Sequence, residues 1–327
     1  MNIPQRPRRN RSSEALRAMV RESQLSANDF IAPLFVREGK AERTAITSMP
    51  GHARLSIDEL IKEARELFSL GVRTVALFPA IDDAKKTSDA REAWNPENLN
   101  LRAARALKEA LPDLLLMGDI ALDPYSSDGH DGIVDPKSGE ILNDASIEAL
   151  IKQSLASAKA GFDILGPSDM MDGRVGAMRS ALDADGFERT LIMSYTAKYA
   201  SAFYGPFRDA LASAPKKGDK KTYQMDPANG REALREAALD EAEGADILMV
   251  KPGLPYLDVI YRLRQASTLP IAAYNVSGEY AMVKAAAEKG WIDGDKVMME
   301  VLTSFKRAGA DIVLTYFAKD AARLLRG

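Results

Sequence analysis

The sequence predicts an α/β fold, a single (β/α)8 TIM barrel preceded by an extended N-terminal arm. Eight short apolar segments recur at the spacing of strands that alternate with helices, at 32–36, 74–78, 114–120, 162–165, 190–194, 246–250, 269–274 and 311–317. Most are rich in leucine or β-branched residues without polar alternation, which is typical of strands buried on both faces of a parallel sheet. Eight such strands favour a closed barrel over an open sheet.

Helical periodicity fills the segments between the predicted strands, most clearly at 56–70, 145–160 and 231–243. Several helices end in a glycine that is followed within two residues by the next strand, as at Gly161 and Gly244. Glycine closes a helix in the left-handed conformation without steric strain, so this ending is typical of the joint between a helix and a strand.

Two parts of the chain are distinguished by composition. Residues 1–28 are predicted to form an extended arm with a short helix near 13–22, and residues 29–327 a single catalytic barrel. The first 21 residues contain six arginines and one acid, Glu14. Arginine suits interface ion pairs, so the arm is expected either to wrap a neighbouring subunit or to remain a solvated tail.

The composition excludes several classes of chemistry. The chain of 327 residues has no cysteine and only two histidines, His52 and His130. Disulfides, thiolate metal sites, a cysteine nucleophile and a polyhistidine metal site are therefore excluded. A net charge of -3 gives no reason to expect nucleic acid as a partner. No apolar run approaches the ~20 residues of a membrane span, so we expect no membrane partner and a cytoplasmic location.

Lys251 is the first candidate for catalysis. It follows the apolar segment 246–250 directly, so it lies at the carboxyl end of a buried strand, where barrel active sites are built. A desolvated site lowers the pKa of an ammonium group and frees the amine to attack a carbonyl, although a lysine that extends to solvent is the alternative. Lys198 follows another predicted strand, and if the two strands are neighbours, each cation lowers the pKa of the other.

Further polar residues lie at the predicted mouth of the barrel. Arg208 follows Phe203 and Tyr204 in an aromatic segment that could aim its guanidinium at a carboxylate, and a solvated lid is the alternative for the lysines that follow it. Ser277 and Tyr316 end the last two strands, where hydroxyl groups can orient a polar ligand.

The segment 119–132 holds four aspartates and a histidine within 14 residues. Carboxylate oxygens can bind a hard cation, but aspartates in a turn-rich loop equally bond their own backbone. The spacing does not match a calcium-binding loop, so the segment alone gives only a weak indication of a metal.

Several motifs together resemble the porphobilinogen synthase (5-aminolevulinate dehydratase) family, and the match extends over essentially the whole chain. They are MSYTAKYASAFYGPFRDA (193–210), MVKPG (249–253), SDMMDGR (168–174), YQ (223–224), VSGE (276–279) and TYF (315–317). The resemblance implies a lyase that condenses two 5-aminolevulinate molecules to porphobilinogen with loss of two waters, in tetrapyrrole biosynthesis. It also implies a homo-octamer assembled through the N-terminal arm.

The resemblance implies roles for particular residues. Lys198 and Lys251 would form Schiff bases with substrate, with Asp119 as a third catalytic residue. Arg208 and Lys220 would hold the carboxylate of one substrate molecule, with Lys220 standing where many members have arginine. The remaining substrate-binding residues would be Gln224, Phe203, Tyr204, Ser277 and Tyr316, with Asp123, Ser127 and Asp131 in the active-site loop.

The chain departs from the zinc-dependent members of the family, which carry three cysteines in this loop. Ala121, Asp123 and Asp131 stand at those positions. We therefore expect no active-site zinc, no organic cofactor, and an activating, allosteric Mg²⁺ to which Glu236 is a second-shell ligand. An exposed helix glutamate is the alternative for Glu236.

Two other functions fit the residues without the resemblance: a class I aldolase with one Schiff-base lysine, and an inactive barrel that serves as a scaffold.

Overall fold

A closed barrel of eight parallel strands forms the centre of the computed structural model, which describes residues 3–211, 215–216 and 218–326. In chain order the strands are β1 (Phe30–Val36), β2 (Thr74–Pro79), β3 (Leu115–Ile120), β4 (Ile164–Pro167), β5 (Leu191–Lys198), β6 (Ile247–Lys251), β7 (Ile271–Asn275) and β8 (Ile312–Thr315). Each pairs with the next, and β8 closes on β1 through Ile31 and Leu314. The predicted fold class and all eight predicted strands are confirmed.

The strands are buried because both faces are covered. Every residue of β1 and every residue of β2 is buried. Parallel strands that lie between a barrel interior and surrounding helices require this burial. The strand boundaries differ from the prediction by up to four residues, and the largest difference is in β5, which continues to Lys198 and does not end at residue 194, because its side chains remain buried to that point. Lys198 thus lies in the strand itself.

Helices surround the barrel in the described residues. They are α1 (Glu14–Met19), α2 (Ile57–Ser69), α3 (Leu99–Ala110), α4 (Asn143–Lys159), α5 (Arg174–Ala184), α6 (Gly205–Leu211), α7 (Glu232–Ala242), α8 (Leu257–Ala266), α9 (Ser277–Glu288), α10 (Gly294–Ala308) and α11 (Ala318–Arg326). Short 3-10 helices occur at Pro7–Arg11, Ala27–Asp29, Asp83–Lys85, Arg91–Trp94, Ala202–Tyr204 and Leu254–Tyr256. The predicted glycine endings are confirmed at Gly161 and Gly244, whose φ angles are 99° and 98°.

Two long connections cover the carboxyl ends of the strands. The first follows β3 and contains a small antiparallel hairpin, Ile133–Val134 paired with Ile141–Leu142. The second follows β5 and contains α6. A third connection, after β1, holds a strand pair, Arg43–Ala45 with Ala53–Leu55, of which the second strand extends the sheet beside β1. These connections form the mouth of the barrel, where the candidate residues lie.

The arm packs little against the barrel. Ser13 caps α1 by accepting a hydrogen bond from the amide of Leu16, and apart from half-buried Leu16 every described residue up to 22 is exposed. Met19 is 74% exposed.

Among the residues the structure describes, no helix combines the length and apolar character that crossing a membrane requires.

Candidate active site

Two lysines lie side by side where adjacent strands end. Lys198 is the last residue of β5 and Lys251 the last residue of β6, and the two are register partners across the parallel pair. The two strand ends are also joined by a main-chain hydrogen bond, in which the amide of Tyr199 donates to the carbonyl of Lys251 over 2.9 Å. Both lysines are buried, with exposures of 5% and 6%. The barrel therefore holds two amines together at its mouth.

Aromatic rings surround the amine of Lys251. The distances from its Nζ to the ring centroids are 4.6 Å for Tyr274, 5.1 Å for Tyr195, 5.2 Å for Phe207 and 5.3 Å for Tyr204. Burial, and after it the charge of Lys198, lowers the pKa of Lys251 to about 7. A large fraction of this amine is therefore neutral near pH 7, which makes it a nucleophile for a carbonyl carbon.

The amine of Lys198 has polar partners instead. Its Nζ donates to the main-chain carbonyl of Ser168 and lies 3.4 Å from Oδ1 of Asp131. Ser168 directly follows β4, the strand beside β5, and Asp131 belongs to the loop after β3. The two lysines thus occupy different surroundings, one apolar and one ion-paired, although they are neighbours in the sheet.

A third buried lysine, Lys220, pairs with two carboxylates of the aspartate-rich loop. Nζ of Lys220 lies 3.0 Å from Oδ2 of Asp131 and 3.3 Å from Oδ2 of Asp123. Burial alone would lower the pKa of Lys220, but the two carboxylates raise it above its usual value. Burial alone would raise the pKa of Asp131, but Lys198 and Lys220 hold it well below its usual range. Burial raises the pKa of Asp123, and Lys220 opposes this effect.

Asp119 lies near the end of β3 and faces the same space. Burial raises the pKa of its carboxyl group, and the charges of Lys251 and Lys198 oppose this effect. Its Oδ1 is enclosed, and by geometric criteria it has no hydrogen-bond partner among the described residues. A carboxyl group with a raised pKa and a free oxygen can give or take a proton.

Nine of the residues predicted from the sequence line one cavity at the barrel mouth, with an empty volume of about 380 Å³. They are Asp119, Asp123, Asp131, Lys198, Tyr204, Arg208, Lys220, Gln224 and Lys251. Oε1 of Gln224 is buried and, among the described residues, has no hydrogen-bond partner. The cavity combines amines, carboxyl groups and a guanidinium, which is a suitable set for acid–base and Schiff-base chemistry on an anionic carbonyl compound.

Four predicted residues lie outside the lining of this cavity. Ser277 is fully buried; its Oγ accepts from the amide of Phe207 over 3.0 Å and donates to the carbonyl of Phe203 over 3.5 Å. The hydroxyl of Tyr316 lies 3.0 Å from that of Tyr274. Ser127 is half-buried in its loop, where its hydroxyl contacts only the neighbouring carboxylate. Phe203 is the fourth, and of the contacts described only that of Ser277 with Phe207 reaches a residue that lines the cavity.

Glu236 lies on α7, away from the two lysines, in a separate cavity. That cavity is lined in part by Asp172 and Glu232. Burial, and after it the charge of Asp240, raises the pKa of Glu236. In the described residues no group of three or more His, Cys, Asp or Glu side chains is arranged to hold a metal. Mg²⁺ keeps several waters and needs only one or two carboxylates, so this acidic cavity fits a hydrated Mg²⁺.

Sequence reasoning identified Tyr204 but missed the other three aromatic residues around Lys251, and it missed one carbonyl. Tyr195 and Tyr274 lie on strands that flank β6, and Phe207 immediately precedes Arg208. A signal was present for the two tyrosines, since each lies near the carboxyl end of a barrel strand. Ser168 contributes through its main-chain carbonyl, which no side-chain pattern in the sequence could have indicated.

Comparison with known proteins places these residues in context. The delta-aminolevulinic acid dehydratase family model matches residues 4–324. The chloroplastic delta-aminolevulinic acid dehydratase of Chlamydomonas reinhardtii is 56% identical over 335 residues, covering 100% of this chain and 86% of the relative. That of Synechococcus elongatus is 55% identical, covering 98% of both chains. The crystal structure of the Toxoplasma gondii delta-aminolevulinic acid dehydratase with its product porphobilinogen is 56% identical, covers 98% of this chain and 92% of that one, and matches with a TM-score of 0.97.

The names of these relatives contradict the expected location. The matching proteins of Chlamydomonas reinhardtii, Arabidopsis thaliana and Glycine max are all called chloroplastic. The prediction of a cytoplasmic location is therefore wrong. It relied on the lack of an apolar targeting or membrane-spanning segment, whereas sequences that direct proteins to chloroplasts are amphipathic, so hydropathy does not report on them.

Proposed function

Since the chain belongs to the delta-aminolevulinic acid dehydratase family, we propose that Lys251 and Lys198 perform its reaction by forming Schiff bases with substrate. The reaction is the condensation of two 5-aminolevulinate molecules to porphobilinogen, with loss of two waters. The observation that carries the proposal is the register pairing of two buried lysines, one of which has a pKa lowered to about 7.

The first chemical step uses the neutral amine of Lys251. Its lone pair adds to the ketone carbon of one 5-aminolevulinate, and the resulting carbinolamine loses water to give a protonated imine. The imine withdraws electrons from the neighbouring carbon, so a proton can leave that carbon and the enamine can attack the second substrate. Lys198 binds the ketone of that second molecule in the same way. After the carbon–carbon bond has formed, the amino group of the second molecule adds to the imine carbon held by Lys251 and expels the Lys251 amine, which closes the ring. Loss of ring protons then eliminates the Lys198 amine and gives the pyrrole, so the two waters lost are those released when the imines formed.

Asp119 supplies the proton transfers. Formation of each imine requires that a proton be given to the hydroxyl group that leaves the carbinolamine as water. Formation of the carbon–carbon bond requires that a proton be removed from the carbon next to the imine. The carboxyl group of Asp119 has a raised pKa and a free oxygen facing the cavity. It can therefore act as acid in the first step and as base in the second.

The substrate carboxylates are bound by the residues around the lysines. Arg208 and Lys220 hold the carboxylate of one substrate molecule, assisted by Gln224 and Tyr204, and all four line the cavity. Ser277 and Tyr316 hold the other carboxylate, with Phe203 packed against Ser277. Because these two hydroxyl groups now contact Phe207 and Tyr274, substrate binding must displace these contacts.

The active-site loop works without zinc. Asp123 and Asp131 stand where zinc-dependent members of the family have thiolates, and the ammonium group of Lys220 lies between their carboxylates. Hard oxygen donors that already share a fixed cation are a poor site for Zn²⁺. Ser127 completes this loop, and no organic cofactor is needed because the lysines supply the electron sink.

Mg²⁺ acts at Glu236 as an allosteric activator. Glu236 is the carboxylate that holds the hydrated ion, and the raised pKa caused by burial and by neighbouring acids is relieved when a cation is present. The ion supplies charge compensation there, and no catalytic step passes through it.

The arm assembles the enzyme as a homo-octamer. Most of its described residues are exposed, it is rich in arginine, and its apolar side chains Ile3, Met19 and Val20 are 40%, 74% and 44% exposed. Such a segment gains stability by packing on a second copy of the chain, where arginines pair with carboxylates.

Borohydride reduction in the presence of 5-aminolevulinate tests the proposed chemistry. We expect peptide mapping to find a covalent adduct on Lys251 and, at saturating substrate, a second adduct on Lys198. An adduct on one lysine only, whatever the substrate concentration, would instead indicate a one-lysine aldolase. No adduct at all would indicate a scaffold. Reduction without substrate is the control.

A further inference from the structure

His52 lies in the connection between β1 and α2 and reaches across to the last strand of the barrel. Its Nε2 is 3.0 Å from the main-chain carbonyl oxygen of Tyr316, which directly follows the end of β8. The imidazole also packs edge-on against the ring of Tyr316, with centroids 5.3 Å apart and an interplanar angle of 83°. One side chain thus contacts both the backbone and the ring of a residue 264 positions away.

The chemistry of this contact defines which atom carries the proton. A carbonyl oxygen only accepts hydrogen bonds, so Nε2 of His52 must be the protonated nitrogen. Burial lowers the pKa of His52 to about 4; the carbonyl of Tyr316 and the carboxylates of Asp320 and Glu63 oppose this effect, and Lys284 adds to it. At neutral pH the imidazole is therefore an uncharged donor to Tyr316.

The loop that carries His52 is itself held in place. The amide of Ile46 donates to the carbonyl of His52, and the amide of His52 donates to the carbonyl of Met49, each over 3.0 Å. The hydroxyl of Tyr280 donates to the carbonyl of Pro50 over 2.5 Å. His52 therefore presents its donor from a rigid turn, which makes the contact with Tyr316 directional.

Tyr316 links this donor to the catalytic amine. Its hydroxyl lies 3.0 Å from the hydroxyl of Tyr274, and the ring of Tyr274 is the one nearest to Nζ of Lys251, at 4.6 Å. A displacement of Tyr316 would therefore move both its own hydroxyl group and the ring that faces the amine.

We propose that His52 is a positioning residue that holds Tyr316 in the orientation needed to bind a substrate carboxylate. The inference rests on the proposed function, in which Tyr316 is one of the two hydroxyl ligands of that carboxylate. His52 does not touch substrate; its Nε2–H fixes the main chain of Tyr316 and its ring limits the rotation of the tyrosine side chain.

Two amide variants form a matched pair that tests the hydrogen bond. The Nε2 of glutamine reaches the position of the histidine Nε2, whereas the Nδ2 of asparagine reaches only that of Nδ1. We expect His52→Asn to raise KM for 5-aminolevulinate about fivefold, the size of one lost hydrogen bond, with a smaller change in kcat. His52→Gln should restore KM to within about twofold of the unmodified enzyme. Equal KM values for the two variants would overturn the proposal.

A double-mutant cycle with Tyr316→Phe shows whether His52 acts through Tyr316. In the Tyr316→Phe background, His52→Asn should add less than about twofold to KM. A full fivefold increase in that background, or a normal KM for Tyr316→Phe alone, would refute the inference. If His52→Asn does not fold, His52→Val replaces it as the variant without a donor. Borohydride trapping at Lys251 in the unmodified enzyme tests the Schiff-base function separately, so either can fail without the other.

Discussion

Lys198 and Lys251 are register partners at the ends of β5 and β6, so the barrel places two buried amines directly beside each other. Two ammonium groups on neighbouring strand ends repel each other. The repulsion lowers the pKa of Lys251, which has no ion-pair partner among the described residues. Asp131 pairs with Lys198, whereas aromatic rings surround Lys251. This asymmetry gives Lys198 an ion-pair partner and leaves Lys251 as the amine whose pKa is lowered.

Replacing Lys251 with arginine should abolish turnover. Lys251→Arg keeps a positive charge at the end of β6, but a guanidinium does not form an imine with a ketone. Loss of the covalent route should reduce kcat by several orders of magnitude, on the order of 10³ or more. Steady-state assays of porphobilinogen formation measure this, and circular dichroism confirms the fold. Activity within tenfold of the unmodified enzyme would exclude Lys251 as the nucleophile.

The rate of Schiff-base formation should depend on pH through the pKa of Lys251. The amine attacks only in its neutral form, and its pKa is lowered to about 7. Below that pH the trapping rate should fall about tenfold for each unit, and above it the rate should level off. Rapid-quench reduction between pH 5 and 9 measures the profile. A rate that still rises about tenfold per unit between pH 8 and 9 would mean that the amine has an ordinary pKa.

Removing Lys220 should impair use of the second substrate molecule. Lys220→Ala leaves Asp123 without its cation and Asp131 paired with Lys198 alone, and Arg208→Ala removes the other partner of the substrate carboxylate. Breaking a buried ion pair costs about 3–5 kcal/mol, so we expect KM to rise at least tenfold while the first Schiff base still forms. Lys221→Ala is the matched control, because its side chain is 75% exposed. Normal kinetics at low substrate in both test variants would argue against these roles.

Magnesium, and not zinc, should influence activity. We expect Mg²⁺ to stimulate turnover, and Glu236→Gln to reduce the stimulation while borohydride trapping of the lysines is retained. Glu188→Gln, an exposed position, is the control. Elemental analysis of purified protein should find no stoichiometric zinc. Tightly bound zinc whose removal abolishes activity would overturn the zinc-independent reading of the active-site loop.

Deleting the first 12 residues should leave the barrel folded but alter the assembly. The barrel strands begin only at Phe30, so the deletion removes no barrel element. We expect smaller oligomers with low activity, because loops at the mouth would lose the support of a neighbouring arm. Multi-angle light scattering and turnover assays measure both. An intact octamer with full activity would show that the arm is only a solvated tail.

The sequence by itself determined the elements of this fold. Apolar segments with β-branched residues and glycine-terminated helices are local patterns, so all eight strands could be predicted within a few residues. Lys251 could also be identified alone, because a lysine directly after a buried strand is unusual wherever that strand lies. The location within the cell could not be derived in this way, and the cytoplasmic prediction was wrong, because the hydropathy of a folded domain does not report on targeting.

Only the tertiary structure decided which residues meet. The pairing of Lys220 with Asp131, and of His52 with Tyr316, joins segments that are remote in the chain. Such contacts depend on how the mouth loops pack over the closed barrel, and no local pattern encodes that packing. The lowered pKa of Lys251 likewise arises from rings on neighbouring strands and loops. The sequence shows that a lysine ends a strand; only burial among those rings makes it a nucleophile.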